Sequence, residues 1–459
     1  RIAMKPELNR ASMTEAKSSR RDFVKLGSGL IAGTALAGVS IPHVHAAEDN
    51  TIRLALIGCG GRGTGAVNNA FNAPGPVKLF AMADIVEAKL RASHANLTRI
   101  AEDKVDVPQE RQFMGFDAYR KAIDCLRPGD VALLTTRAAF RPMHLEYAVE
   151  KGVNVFMEKS FATDPVGCRR VLKAADEAEK KNLKIAAGTM CRYSRNRQEL
   201  IKRIRDGEMG QIQLMRAYRS EHFGGLRQKP EGENELYWQL RSIFHLFWVS
   251  AGLWSEADIH QIDEMCWIKD AWPVSAHGVG GRAANSTDYG QNLDNCTAEW
   301  TFADGTKAYY LMRNLANCHN EFATYIHGAK CAAQFSGPIH VATTRLYKDQ
   351  RMTPDNLAWA AEPEPISMYQ AQWNSFLDNI RNDRPVNEAR QAAMSQVADI
   401  MGRAAIHMGR VVTLDEVLAS DFQWVPGGID SINENSTPPI AADADGHYPV
   451  PIPGQWVEV

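Results

Sequence analysis

Two segments far apart in the chain hold residues able to move a proton. The run Gly152-Val-Asn-Val-Phe-Met-Glu158-Lys159 ends an apolar strand in an acid and a lysine. A lysine at such a strand end can hydrogen-bond a substrate hydroxyl, whereas most such dipeptides form only a surface ion pair. The second segment, Ser255-Glu256-Ala-Asp258-Ile-His260-Gln-Ile-Asp263, reads as the start of a helix. Glu256 and His260 are four apart and Asp263 is three further on, so all three share one face. A carboxylate beside the imidazole fixes its tautomer and raises its basicity, which is what a general base requires. No third ligand has metal spacing, so a metal site is not expected. Asp258 is either a further acid of the site or solvated.

A third segment is built to hold an anion. Gly58-Cys59-Gly60-Gly61-Arg62-Gly63 follows the apolar run Ile52 to Ile57 and opens a helix, and a second apolar run, Val77 to Ala83, ends in Asp84. In this context Gly58 allows the turn, Gly60 lets a pyrophosphate approach the backbone, and Gly63 lets the helix pack close to the sheet. Asp84 would accept from both ribose hydroxyls and repel a 2′-phosphate, and Ile85 offers no cation. The expected cofactor is NAD rather than NADP.

The elements that must position these residues follow from the pattern along the chain. From Thr51 to about Met190 short apolar runs alternate with helical segments, as a doubly wound parallel sheet requires. Strands are expected at Ile52–Ile57, Val77–Ala83, Val131–Thr135, Val153–Met157 and Lys184–Gly188. Helices are expected at Asp117–Asp124, Arg141–Lys151 and Pro165–Lys181. From Gln211 the runs Ile212–Ser220, Val274–Arg282, Cys296–Phe302, Ala308–Arg313, Phe322–His327 and Ala332–Phe335 read as an open, mostly antiparallel sheet, with Asp304-Gly305 as a hairpin turn. Helices at Met368–Asn382 and Ala389–Gly409 follow, and the Pro- and Gly-rich tail reads as a surface strap. The fold class is therefore α/β, a Rossmann sheet (51–190) followed by an α+β domain (191–367), with C-terminal helices packed back on the body (368–425) and a surface tail (426–459).

Residues 1–47 read as a leader outside this fold. Ser19-Arg20-Arg21-Asp22-Phe23-Val24-Lys25 is a twin-arginine motif, followed by an uncharged run Leu26 to Val39 and small residues at Val44-His45-Ala46 suited to cleavage. That run is about 14 residues, short of the ~20 that span a bilayer, so no stable membrane anchor is expected. Export of a folded chain through the twin-arginine translocase to the periplasm would let tightly held NAD be loaded first and recycled in place. Without residues 1–46, which hold seven Lys/Arg and three Asp/Glu, the chain carries 45 basic against 51 acidic residues, a formal charge of −6. Such a balance offers no footprint for nucleic acid. Eight cysteines without CxxC pairs read as buried thiols.

Gly58-Cys-Gly60-Gly-Arg-Gly63, Asp84, His144, Glu158-Lys159 and Ile259-His260-Gln-Ile-Asp263 together resemble the glucose–fructose oxidoreductase/inositol dehydrogenase/MocA family over nearly all of the mature chain. The resemblance implies a Rossmann domain, a second domain with an open sheet, a homo-oligomer paired through that sheet, and hydride transfer on a sugar or cyclitol. It implies Lys159 and His260 as catalytic residues, with Glu256 orienting the histidine. Gly61, Arg62, Thr136, His144 and Glu158 would join Gly58, Gly60, Gly63, Asp84 and Lys159 around the cofactor. Arg192, Tyr193, Trp238, Arg241 and Asp263 are candidate substrate contacts, since sugars are bound by planar polar groups and aromatic faces. Three positions depart from the family: Ser160 and Arg137 stand where proline is usual, and Glu256 stands for aspartate. Arg137 would either bind an acidic substrate or obstruct the pocket. The family also includes enzymes that cleave glycosides by transient oxidation and elimination, and the departures admit a non-catalytic sugar- or dinucleotide-binding protein.

Overall fold

The computed structural model describes residues 50–459, apart from residue 342 and the side chain of Ile339. The twin-arginine segment lies outside the described residues. The first sheet has six parallel strands: β1 (Ile52–Ile57), β2 (Val77–Asp84), β3 (Gln112–Met114), β4 (Val131–Leu134), β5 (Asn154–Met157) and β6 (Ile185–Ala187). Their order is β3-β2-β1-β4-β5-β6. Every residue of β4 and β5 is buried, the continuous apolar run expected of strands covered on both faces. The covering helices are α1 (Gly61–Phe71), α2 (Glu87–Ile100), α3 (Ala118–Asp124), α4 (Arg141–Glu150) and α5 (Pro165–Lys180). The strand order reverses its direction of winding between β1 and β4, so a crevice opens beyond their carboxyl ends, where ligands of such sheets sit.

Helix α6 (Arg195–Arg205) leads to β7 (Ile212–Ser220), α7 (Glu235–Arg241), α8 (Phe247–Ser250) and α9 (Gly252–Lys269). Strands β8 (Ser275–Gly281), β9 (Asn295–Thr301), β10 (Lys307–Arg313), β11 (Glu321–Gly328), β12 (Ala332–Ser336), β13 (Arg345–Tyr347) and β14 (Leu357–Ala360) follow. Helices α10 (Met368–Arg381) and α11 (Ala389–Met408), strand β15 (Val412–Thr413) and α12 (Leu414–Ala419) complete the elements. The second sheet has nine strands in the order β14-β13-β12-β11-β7-β10-β9-β8-β15, all paired antiparallel except β7 with β10. In β9 and β10 alternate residues are buried, so this sheet has one packed face and one open face. Helices α9 and α11 cover the packed face, and Trp300 of β9 donates through Nε1 to Ala398 O at 2.9 Å.

Expected strands and helices occur within a residue or two of their boundaries, and the Asp304-Gly305 turn closes β9 onto β10 with Gly305 at φ 86°. Two expectations change. Helix α9 begins at Gly252, so His260 lies in mid-helix rather than in the first turns. The tail is not wholly a surface strap: Tyr448 and Glu458 are buried, and Glu458 pairs with Arg403 of α11 at 2.9 Å. An arginine buried at 0 % exposure needs a counter-charge, and the tail supplies it.

Candidate active site

The glycine turn has the geometry that an anion-binding loop needs. Gly58 adopts φ 96°, and a Cβ there would lie 2.8 Å from the Thr135 backbone. A Cβ on Gly63 would meet Gly58 O at 2.3 Å, so α1 can approach β1 only with glycine at that position. Gly60, by contrast, faces open space, and no side chain caps the N-terminus of α1, which leaves its N–H groups directed outward. Asp84 ends β2 with one carboxylate oxygen accepting from Cys59 N at 2.6 Å and the other from Val86 N at 2.8 Å. Gly58, Gly60 and Asp84, with Ile85, Phe116, Thr135, Thr136 and Phe140, line one cleft at the switch point. A dinucleotide fits it: the loop offers N–H donors to a diphosphate, and Asp84 offers acceptors to ribose.

His144 also lines this cleft, with Nδ1 3.1 Å from the Thr136 hydroxyl and its ring stacked on Tyr119 at 4.2 Å. Burial first, then the charge of Arg141, lowers the His144 imidazole to about 3, so it is a neutral group at any ordinary pH. Arg62 reaches across from α1 to Glu158, with Nε 2.7 Å and Nη2 2.6 Å from the carboxylate, and lies over the Tyr369 ring. The pair ties the glycine loop to the end of β5.

Lys159 follows β5 and is met by α9. Its Nζ donates to Glu256 Oε2 at 2.7 Å and to the Glu256 carbonyl at 2.5 Å. Glu256 therefore positions the lysine and not the histidine, a correction to the expectation from i,i+4 spacing. Among the described residues His260 has no hydrogen-bonding side chain of its own. Its ring meets that of His340 edge to face, with centroids 4.4 Å apart. Burial, then His340 and the charges of Lys159, Arg219 and Arg197, push the His260 imidazole well below its ordinary range, which leaves it neutral, with a free ring lone pair. Ser160 is buried and donates to Ser255 O at 3.0 Å, and the Lys159–Ser160 peptide is cis. Ser160 thus ties the strand end to α9.

His340 was not foreseen. It sits in a short turn between β12 and β13 at φ 59°, and its carbonyl accepts from Arg197 Nη2 at 3.2 Å. Arg197 is fully buried against Glu264 at 3.0 Å, and Glu264 also accepts from Thr324 and Ser336 at 2.8 Å each. A lone histidine after Gly-Pro-Ile carries no sequence signal for this placement.

The expected substrate contacts go to other partners. Asp263 is buried and accepts both Arg192 Nε and Nη2 at 2.9 Å, with Ser395 Oγ at 2.6 Å and Gln391 as further donors. Tyr193 donates to Glu388 at 2.6 Å, and Glu388 also accepts from Ala187 N at 2.7 Å. Trp238 packs with Leu236 and Leu240 near Ile85 and Phe116. Arg241 pairs with Glu233 and lines the cleft that holds Asp84. Arg241 therefore lines the cleft beside Asp84, and Trp238 packs next to it near Ile85 and Phe116. Asp258 is fully buried beside the Tyr310 hydroxyl with no well-formed hydrogen bond, and burial raises its carboxyl well above the usual range. Among the described residues no His/Cys/Asp/Glu cluster could hold a metal.

No family model matches the chain. A glycosyl hydrolase family 109 protein of Solibacter usitatus is 24% identical over 230 residues, which are 48% of this chain and 50% of the relative. An inositol 2-dehydrogenase/D-chiro-inositol 3-dehydrogenase of Halalkalibacterium halodurans is 26% identical over 175 residues, 38% of this chain and 46% of that one. The chain thus spans about half the length of the curated relatives it matches. Among solved structures, an aldose–aldose oxidoreductase of Caulobacter crescentus superposes with TM-score 0.60 at 18% identity, over 79% of this chain and 99% of that one. A scyllo-inositol dehydrogenase of Lactobacillus casei with bound NAD(H) and scyllo-inositol superposes with TM-score 0.57 at 19% identity, over 80% and 99%. The chain shares the two-domain fold of these sugar and inositol dehydrogenase structures, a Rossmann sheet followed by an open, mostly antiparallel sheet.

Proposed function

We propose that this protein is an NAD-dependent oxidoreductase acting on a hydroxyl group of a sugar or cyclitol. The observation that carries the reading is the Lys159–Glu256 pair at the carboxyl end of β5, beside a neutral His260. Gly58, Gly60, Gly63, Asp84, Thr136 and His144 would hold the dinucleotide, with the Arg62–Glu158 pair at its side. Bound NAD⁺ supplies the two-electron acceptor. His260 takes the proton of the substrate hydroxyl, and the ammonium of Lys159 stabilises the alkoxide oxygen that this exposes. Glu256 keeps that ammonium in place, and burial, with the nearby cations, keeps His260 unprotonated until the substrate arrives. The two relatives named for cyclitol oxidation and the aldose–aldose oxidoreductase support the substrate class.

The test is to purify the mature protein, identify its nucleotide by mass spectrometry and screen sugars and cyclitols for reduction of it. Lys159→Met and His260→Asn should each retain NAD and lose about 10²-fold or more in reduction, the usual scale of positioned acid–base catalysis. Full turnover in both variants would place the chemistry elsewhere. Stable NAD that no sugar reduces would favour a non-catalytic binding protein.

The family 109 relative favours a second reading, cleavage of a glycoside through transient oxidation and elimination. Release of a free aglycone with no stoichiometric acceptor would select it. The twin-arginine motif supports export of the folded, NAD-loaded protein to the periplasm, and replacing Arg20 and Arg21 by Lys should then trap the precursor in the cytoplasm. The open face of the nine-stranded sheet, where Val279 is 71% exposed, supports pairing of two copies, which light scattering would report.

A further inference from the structure

Arg137 follows β4 at the carboxyl edge of the Rossmann sheet, and its Nε donates to Leu240 O at 2.9 Å. Leu240 lies in the last turn of α7, which belongs to the chain after β7. A Rossmann loop is thereby bonded to a helix from the second half of the molecule, and the bond lies on the cleft: Arg137, Leu240 and Arg241 line it together with Gly60, Asp84 and Thr136. Helix α7 is seated there by apolar contact. Leu236 and Leu240 are buried in one cluster with Ala139 and Phe140 of the loop after β4, against Ile85 and Phe116. Behind α7 stands the tail. Tyr448 donates its hydroxyl to Glu235, and the fully buried Gln239 donates to Ile440 O at 2.9 Å while accepting from Trp248 Nε1 at 2.6 Å.

The Arg137 guanidinium has, among the described residues, no carboxylate within ion-pair distance, although it is half-buried and feels the charges of both Glu256 and Asp84. A cation so placed is stabilised by anionic or hydroxyl oxygens entering the cleft. We infer that Arg137 is a cofactor-binding residue which, by also bonding the end of α7, closes the adenosine side of the cleft and makes the dinucleotide a resident group. The inference rests on the NAD reading and goes beyond it, because it assigns retention to Arg137, α7 and the tail. For the dinucleotide to leave, the guanidinium must give up its ligand and α7 must part from Ala139 and Phe140.

The experiment reads release, not turnover. Holoprotein carrying NAD is mixed with excess isotopically labelled NAD, and the bound fraction is followed by mass spectrometry after rapid desalting. Arg137→Ala should exchange about ten- to a hundredfold faster than the unmodified protein, the worth of a lost charge-assisted hydrogen bond. Arg137→Lys should fall between them, since it keeps the charge but not the fork that serves two partners at once. Tyr448→Phe, which loosens α7 from behind without touching the cleft, should also speed exchange, and it carries the test if Arg137→Ala fails to fold. Exchange at the unmodified rate in folded Arg137→Ala overturns the inference, as does an unchanged rate in Tyr448→Phe when the alanine variant is unfolded. A protein that binds no NAD, by exchange or by calorimetry, removes the underlying reading instead.

Discussion

Glu256→Gln separates the role that the structure gives this residue from the one its spacing suggests. The carboxylate is 6% exposed and accepts from Lys159 Nζ at 2.7 Å, so the substitution keeps shape and removes the charge that holds the ammonium. The Glu256 carbonyl still accepts from Nζ, so one of the lysine's two bonds survives. Loss of a charge-assisted hydrogen bond in such a setting is worth about 1.5–3 kcal/mol, or roughly ten- to a hundredfold in kcat for reduction of bound NAD. The decisive measurement is a double-mutant cycle. If Glu256 acts through Lys159, Glu256→Gln adds nothing to the defect of Lys159→Met and its full factor to that of His260→Asn. The opposite pattern, coupling to His260 and additivity with Lys159, would refute the positioning drawn from these contacts. Bound nucleotide should be unchanged in every variant, because Glu256 lies outside the cleft that holds Asp84.

Asp84→Ala should weaken NAD about ten- to a hundredfold by calorimetry, since it removes the ribose acceptor and the bond that fixes Cys59 N; unchanged affinity would show that Asp84 is not the ribose ligand. Gly63→Ala drives a methyl into Gly58 O and should cost about 1–3 kcal/mol in urea unfolding and loosen the nucleotide, and a variant as stable as the unmodified protein would count against the close approach of α1. Burial raises the Glu458 carboxyl, but Arg403 and His407 hold it down to about 2 in the folded chain, against 4.5 unfolded, so its contribution is complete above 4.5 and is lost as pH falls toward 2. Glu458→Gln should therefore cost about 3–5 kcal/mol at neutral pH and progressively less below pH 4.5, and a pH-independent difference would exclude ionisation of Glu458 as the cause. His340→Phe should keep most of the activity that His340→Ala loses if the edge-to-face contact with His260 is what positions that ring; loss in both would give the His340 imidazole a chemical role of its own.

What could be read from the sequence was what neighbours along the chain decide. The glycine turn, α1 and the end of β2 fall within Ile52–Asp84, and each glycine does there what its position requires. Strands β4 and β5 declare themselves as apolar runs, whereas β3 and β13 to β15 have two to four residues and carry no usable period. The proton-handling end is of another kind, because Lys159, Glu256 and His340 come from three separate elements. Spacing of four does put Glu256 and His260 on one face of α9, but it cannot say that the end of β5 meets that face one turn before the histidine. The carboxylate goes to the ammonium because a charged partner with a donor to spare outbids a neutral imidazole. His340 is held by a buried Arg197–Glu264 pair whose members lie on α6 and α9, so no local pattern could announce it. Trp238 and Arg241 have the composition of sugar contacts, yet α7 packs them beside Ile85, Phe116 and the cleft that holds Asp84. The tail reads as surface because it is rich in Pro and Gly, and only the burial of Arg403 requires that an acid from it be brought inside. Residue types thus indicated which chemistry was possible, while the pairing of buried charges between distant elements decided which side chains perform it.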